Sequence, residues 1–473
     1  MKTTDILFFM NIFSGMGFSI LSPLFPLMGL KNGFSESLIG WVIGIFALSS
    51  TSISPFTPLL IKKFTRIKLL YYATFCEATS TLLYGIISFI NSFYGILIFM
   101  FIIRIIHGCC CGIVGTLVFS LTISLSEPSK VQKSLGNLEI GWCIGITAGP
   151  LFASIFYKIG GYYLPFIILG SFLYTSVFLS TRIAKEKTES DEEIKDNPPF
   201  LKYMGYGEII FVLGLFLAGY ISQSFYYPCL TNHLKTNFGL SVSASSLFFI
   251  IIAISNAITL QFLDTLTEKI GSYGTSCIGL LIIAFGVLMI YPYPPIPKNI
   301  IFVIIGFILI GVGGVPVFIP GLVALKENIK KIDPKIHDLT VNDITSAINF
   351  LTVNIGDFCG PIVGGFFTTH FGFKRCCLIV SCIIVFYFIF YFFYFHKSII
   401  NAIKKKEILD TQIKTDENEL INHPGIYKNN NIEDIISSNN EYNNFGMRKN
   451  AISGLKFTEG KNEPDYIGLE DKN

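Results

Sequence analysis

LGNLEIGWCIGITAGPLFASIFYKIGGYY, residues 135–163, is apolar, studded with glycine, broken by Gly149-Pro150, and carries a single acid, Glu139. INFLTVNIGDFCGPIVGGFFTTHFGF, residues 348–373, repeats its frame: Gly145, Gly149 and Pro150 recur as Gly356, Gly360 and Pro361. Two copies of one membrane-type segment, set about half a chain apart, point to a fold built by duplication.

The composition agrees. Of 473 residues, 51% are hydrophobic, 15% aromatic and only 14% charged, where a soluble domain carries about 25% charged residues. A membrane protein is the ordinary class that fits. The net charge of +3 says little, because the charges sit in loops and in the C-terminal stretch. The 11 cysteines lie largely inside apolar segments, as at Cys109–Cys111, Cys143, Cys359 and Cys382, where they act as small apolar residues. Their spacing matches neither a metal site nor a redox pair. The N-terminus runs into an apolar segment at Ile6 without a small-residue cleavage pattern, which reads as a retained first span.

A spanning helix needs about 20 mostly apolar residues. Twelve candidates fit: 6–30, 38–61, 69–90, 93–125, 135–157, 162–181, 208–232, 243–263, 273–292, 299–325, 343–370 and 375–396. The charged stretch RIAKEKTESDEEIKDNPP splits them into two sets of six. The expected organisation is a first six-helix bundle at 1–181, a linker at 182–207, a second bundle at 208–396, and a polar, disordered tail at 397–473. If both termini lie on one side, that side's loops collect Lys62, Lys63, Arg66, Lys68, Lys130, Lys133, Arg182, Lys185, Lys187, Lys326, Lys330, Lys331 and Lys335. The opposite loops hold Lys31, Lys158, Lys235, Lys298, Lys374 and Arg375. The positive-inside bias assigns both termini to the cytosol. Weaker echoes extend the repeat: residues 23–40 resemble 226–246, and LLIKKFTRIK at 59–68 sits where LTEKIGS sits at 266–272.

With these residues in view, the chain resembles the major facilitator superfamily. Arg104-Ile-Ile-His107-Gly108 is similar to the family's fourth-helix R-x-x-Q-G element. The series Gly141, Gly145, Gly149-Pro150 is similar to its fifth-helix antiporter motif, in which glycines allow close helix packing and Gly-Pro bends the chain. The loop between the second and third spans, Pro58-Leu-Leu-Ile-Lys62-Lys63-Phe-Thr-Arg66, lacks the family's acid. Its second-half copy keeps one as Glu268 beside Lys269. The stretches 35–48, 134–150, 162–170, 238–249 and 360–373 resemble the vesicular amine transporter group, particularly its polyamine transporter-like branch. The likeness covers most of 6–395. It implies an all-α membrane protein, twelve transmembrane helices in two pseudo-symmetric halves, with a substrate cavity between them.

Charged groups at bilayer depth face protein or water and are functional candidates by default. Glu139 lies about one turn, about 6 Å, from the end of its span at a rise of about 1.5 Å per residue. Burial favours the neutral form of a carboxyl group, which suits Glu139 to exchange a proton. Arg104, at mid-depth of the fourth span, pairs with Glu139 or with substrate, or else forms a static ion pair. His107 shares its face by i, i+3 spacing, as a packing residue or a proton carrier. Asp357, mid-span in Gly356-Asp357-Phe358, is a cation or proton site. Glu77 is read as structural, because the third span is peripheral in this architecture. Glu77, Arg104, Glu139 and Asp357 together carry a net −2, which repels an anionic substrate and admits a cation. Gln223, Tyr226, Tyr227, Asn256, Asn349 and Asn354 are further candidates, since aromatic faces attract ammonium groups. Asn and Gln also join membrane helices without any such role.

The reading is a secondary transporter working by alternating access, exchanging an organic cation, polyamine or monoamine, for protons. No enzyme activity, cofactor, metal or nucleic-acid partner is expected. The partners are the cation, protons and the lipid bilayer, and the protein is expected to be monomeric. The tail segment Asp416-Glu-Asn-Glu-Leu420-Ile421 matches an acidic dileucine sorting signal and would direct the chain to vesicular or lysosome-like membranes, the plasma membrane being the alternative. Two rival readings stay open: an exporter or facilitator of another small solute such as a drug or sugar, and a non-transporting receptor-like protein.

Overall fold

The computed structural model describes residues 3–125, 131–183, 200–291, 297–336 and 338–422, and their regular structure is helical throughout. In chain order the helices are α1 (Thr3–Ser19), α2 (Leu21–Lys31), α3 (Glu36–Ile53), α4 (Thr57–Phe64), α5 (Arg66–Ile86), α6 (Phe93–Leu125), α7 (Val131–Gly160) and α8 (Tyr163–Ile183). They continue as α9 (Gly207–Ser224), α10 (Leu230–Phe238), α11 (Val242–Leu260), α12 (Leu263–Ile290), α13 (Ile300–Ile332), α14 (Asp338–Phe371) and α15 (Phe373–Asn422).

Among the described residues, 11 stretches are long and apolar enough to cross a membrane, α1 and α2 together making the first. The twelfth position belongs to α5. Its 21 residues suffice in length, but Arg66, Lys68, Glu77 and a run of hydroxyl side chains make it less apolar than its neighbours. The expected all-α fold of twelve spanning positions in two related sets therefore stands.

The duplication is visible in the backbone. The junctions after α7 and after α14 each turn on a glycine of positive φ, Gly161 at 73° and Gly372 at 81°. The helices that follow the first span of each set start alike: Ser35 caps α3 by accepting from Leu38 N at 3.2 Å, and Ser241 caps α11 by accepting from Ala244 N at 3.2 Å. Between α4 and α5 the chain turns at Thr65 (φ 63°), and the corresponding kink inside α12 falls at Gly271 (φ 74°).

Lipid gives helices no hydrophobic reason to associate, so close packing through small residues takes over. The motif glycines do this in parallel ways. A methyl group on Gly149 of α7 would collide with Ser19 Oγ of α1, and one on Gly360 of α14 would collide with Ser224 Oγ of α9. Gly145 abuts the Ile12 carbonyl and Gly356 abuts Tyr220. Pro150 and Pro361 follow inside their helices. In the second set α12 and α13 pack through facing glycines, Gly279 against Gly313 and Gly286 against Gly306.

The two sets meet along α3 with α14, α7 with α11, and α2 with α10. Gly40 and Gly44 let α3 approach the carbonyls of Pro361 and Phe358, and Gly365 does the same toward Glu36. Ser154 Oγ donates to Ser243 O and Ser243 Oγ donates to Ser154 O, both at 3.0 Å. Thr231 Oγ1 donates to Pro23 O at 3.3 Å, and Ser37 N donates to Thr369 Oγ1 at 2.9 Å. Most of these contacts lie where α3 and α11 begin and α7 and α14 end.

Several helices outrun the apolar windows that mark them in the sequence, because apolarity ends before helix propensity does. α13 reaches Ile332, α14 starts at Asp338, and α15 continues through Asn422 rather than stopping at 396. Contacts divide the chain into two units, Met1–Lys404 and Lys405–Asn473. The part of the expected linker at 184–199 and the part of the expected tail at 423–473 lie outside the described residues.

Candidate functional site

The first set buries a polar cluster between α1, α3, α5 and α6. Arg104 is 1% exposed. Its guanidinium donates to the Ile43 carbonyl (Nη2, 3.0 Å) and, at greater length, to the Val42 carbonyl (Nε, 3.4 Å), both on α3. Its Cζ stands 4.6 Å from the Phe46 ring centroid and 5.9 Å from that of Tyr84. Nη1 has no partner. One turn on, His107 is fully buried, with Nδ1 2.8 Å from Tyr84 Oη and Nε2 unpartnered beside Gly17 of α1. The shared face expected from the i, i+3 spacing is present: Arg104 and His107 both contact Phe46 and Tyr84. Phe46 in turn packs on Phe18, and Phe18 on Trp142, so aromatic rings from α3, α1 and α7 adjoin the cluster.

Glu77 belongs to the same region. It is 0% exposed and pairs with no charged side chain among the described residues. Ser14 of α1 adjoins it, and Cys110, Cys111 and Tyr84 lie within its electrostatic range. Tyr84 was not a sequence candidate. Its signal was there: Glu77, Thr81 and Tyr84 stand at i, i+4 and i+7 and share one face of α5.

A second site lies at the seam. Asp357 on α14 is half-buried, makes no hydrogen bond or ion pair among the described residues, and lies within electrostatic range of Tyr226 and Tyr227. Those two tyrosines occupy the turn between α9 and α10. Tyr226 is buried against Phe307 and Phe249, and Tyr227 packs against the apolar cores of both helix sets. The neighbouring Phe358 meets Trp41 of α3 edge-on at 6.0 Å. In the second set Gln223 Nε2 and Asn256 Oδ1, both unpartnered, converge over Gly314 of α13.

The sequence candidates thus fall into groups. Arg104 and His107 come together, in the company of Glu77. Asp357 comes together with Tyr226 and Tyr227. Gln223 joins Asn256. Asn354 donates to Phe350 O of its own helix at 2.8 Å and joins neither cluster. Glu268 and Lys269 are exposed just before the kink at Gly271. The backbone of Glu139 lies in α7, but its side chain falls outside the described residues, as do any contacts it makes. Arg104 is held by α3 carbonyls, an anchoring that the expectation of a Glu139 or substrate partner did not include.

The comparisons with known proteins converge. A model of the Major Facilitator Superfamily matches residues 7–332. The chain is similar to the MFS-type transporter SLC18B1 of Mus musculus, 26% identical over 381 residues covering 77% of this chain and 80% of that one. It resembles the Homo sapiens SLC18B1 at 25% over 374 residues, 77% of this chain and 79% of the relative. A multi-drug resistance efflux pump of Streptococcus pneumoniae, PmrA, is 23% identical over 222 residues, 46% of this chain and 54% of the pump. Among solved structures, a bacterial homologue of the human lysosomal transporter Spinster superposes with a TM-score of 0.65 at 12% identity, covering 82% of this chain and 95% of that one. The nucleoside transporter NupG superposes with a TM-score of 0.64 at 12% identity, covering 83% and 99%. At such identities the structural likeness speaks for the fold alone. Helix content, duplicated glycine frame and family match agree: this chain is a multi-pass membrane transporter that belongs to the Major Facilitator Superfamily.

Proposed function

We propose that the protein exchanges an organic cation, a polyamine or monoamine, for protons by alternating access between two six-helix domains, 1–181 and 208–396, joined by the linker 182–207. One observation carries the reading: at the seam between the helix sets, the Asp357 carboxylate has no partner among the described residues and lies within electrostatic range of Tyr226 and Tyr227. An ammonium group supplies the missing charge and is attracted to aromatic faces. The resemblance of residues 134–150 and 360–373 to vesicular amine transporters supports the amine class, and similarity to the MFS-type transporter SLC18B1 over most of the chain supports transport. Glu139, one turn into the fifth span, is the companion proton carrier in this reading. The Lys and Arg bias of the loops places both termini in the cytosol, and the amine-transporter likeness favours a vesicular or lysosome-like membrane. The protein works as a monomer.

The test is uptake of labelled spermidine into proteoliposomes with an acidic lumen. The reading expects accumulation that collapses with the pH gradient and is abolished by Asp357→Asn. Accumulation indifferent to the gradient, or undiminished in the variant, refutes it. Similarity to the drug pump PmrA favours a second reading, export of a bulkier drug-like cation. Competition of spermidine uptake by such a compound separates the two.

A further inference from the structure

We propose that Glu77, on α5 in the interior of the first helix set, carries a coupling proton at a site separate from the cation site at Asp357. The proposal rests on the antiport reading above and adds to Glu139 a second proton-carrying group, without which the gradient cannot drive accumulation.

The argument starts from an imbalance between the duplicated halves. In the second set, the third and fourth spanning positions, α12 and α13, meet through facing glycines, and their apolar lengths, residues 272–290 and 300–325, carry no charged side chain. In the first set, the same positions are α5 and α6. They enclose a carboxylate, a guanidinium, an imidazole and two thiols. The fold therefore closes this interface without a carboxylate in one copy. A purely structural acid would also be expected to hold a charged partner, yet at 0% exposure Glu77 has only the Ser14 side chain beside it and pairs with no charged group among the described residues. An ionised carboxylate left unpaired inside a protein is strongly unfavourable. The state seen here accommodates the neutral acid, a carboxyl group already holding a proton.

Arg104 makes no ion pair with Glu77 in this state, but it is the cation of the same cluster. Arg104 is equally buried, has a free Nη1, and lies within electrostatic range of the same Tyr84 and Cys111 as Glu77. From α6, Glu77 is faced by Cys110 and Cys111, with His107 and Arg104 one to two turns further along. From its own helix come Tyr84 and, through Cys110, Cys76. α1 presents Ser14 and Gly17, and the Tyr174 hydroxyl of α8 is engaged with Thr79. On release, the O–H bond of Glu77 breaks and bulk water on the side to which the site opens takes the proton. The carboxylate left behind is drawn toward Arg104. Charge on Glu77 thus favours a different packing of α5 on α6 from the one seen here, which links protonation to conformation.

Two measurements on the full chain test this. In proteoliposomes, Glu77→Gln mimics the neutral acid. It should keep spermidine-for-spermidine exchange across equal pH and lose accumulation driven by an acidic lumen. Gradient-driven accumulation like that of the wild type overturns the proposal, and so does loss of both activities with no recovery of either in Glu77→Asp. The second measurement needs no substrate. In a variant carrying Asp357→Asn and Glu139→Gln, infrared spectra at neutral pH should show the C=O stretch of a protonated carboxylic acid, which further Glu77→Gln removes. Absence of that band, or its survival in the triple variant, overturns the proposal. If the wild type fails to carry spermidine, the cation reading falls and the infrared measurement alone decides on Glu77.

Discussion

Thr65 should be a weak point that a glycine repairs. It turns the chain between α4 and α5 at φ 63°, ψ 152°, a region of backbone space that is nearly glycine-only and costs about 1–3 kcal/mol for other residues. The second half makes the corresponding turn with Gly271 at φ 74°, ψ 169°. Thr65→Gly relieves the strain and adds back about 0.5–1 kcal/mol of unfolded-state entropy. The net expectation is a stabilisation of about 0.5–2 kcal/mol, which at about 1 °C per kcal/mol for a chain of this length is a rise of about 0.5–2 °C. Thr65 is exposed, so its side chain contributes little packing, and Thr65→Ala should leave the midpoint almost unchanged. Gly271→Thr should lower it, because it adds strain and brings a Cβ to 2.8 Å from Ala402 Cβ. Thermal unfolding of the detergent-solubilised protein, followed by circular dichroism, reads all three. A Thr65→Gly protein no more stable than the wild type refutes the strain argument. Equal gains in Thr65→Gly and Thr65→Ala place the effect in the side chain and refute it equally.

Other outcomes follow from the packing. Gly360→Ala drives a methyl group into Ser224 and should cost about 1–3 kcal/mol by overpacking. Ser224→Gly removes the obstacle, so a double-mutant cycle on thermal stability should show positive coupling, and strict additivity would contradict the packing. Arg104→Lys cannot reproduce the donation to the Ile43 and Val42 carbonyls while keeping a planar group over Phe46. It should destabilise by about 1.5–3 kcal/mol, the range for hydrogen bonds to charged groups. A midpoint equal to the wild type would show that the anchoring is not used.

Much of the fold was legible because its signals are local. Gly149-Pro150 and Gly360-Pro361 announce a close approach and a bend whatever surrounds them, and both meet a serine of the first span in their set. The echo between 59–68 and 266–272 was faint in letters, yet it marks two turns of the same backbone conformation at Thr65 and Gly271. Helix ends were less legible. Hydropathy stops at Lys397, whereas IINAIKKKEIL remains rich in helix-forming residues and α15 runs on. The site was legible one residue at a time and not as groupings. A charge in an apolar run stands out, but its partners lie on other helices. Arg104 reads as a partner of Glu139 or of substrate, or as half of a static ion pair; its described contacts are backbone carbonyls of α3, and the Glu139 side chain lies outside the described residues. Glu77 looked structural because its span is peripheral. Only the structure reveals that it is fully buried with no charged partner among the described residues.

The central claim is that a cation entering at Asp357 moves against protons. Proteoliposomes with an acidic lumen and a trapped pH dye test it when spermidine is added outside. The account predicts luminal alkalinisation that tracks spermidine entry and is absent in Asp357→Asn. Spermidine entry without any change of luminal pH would contradict it.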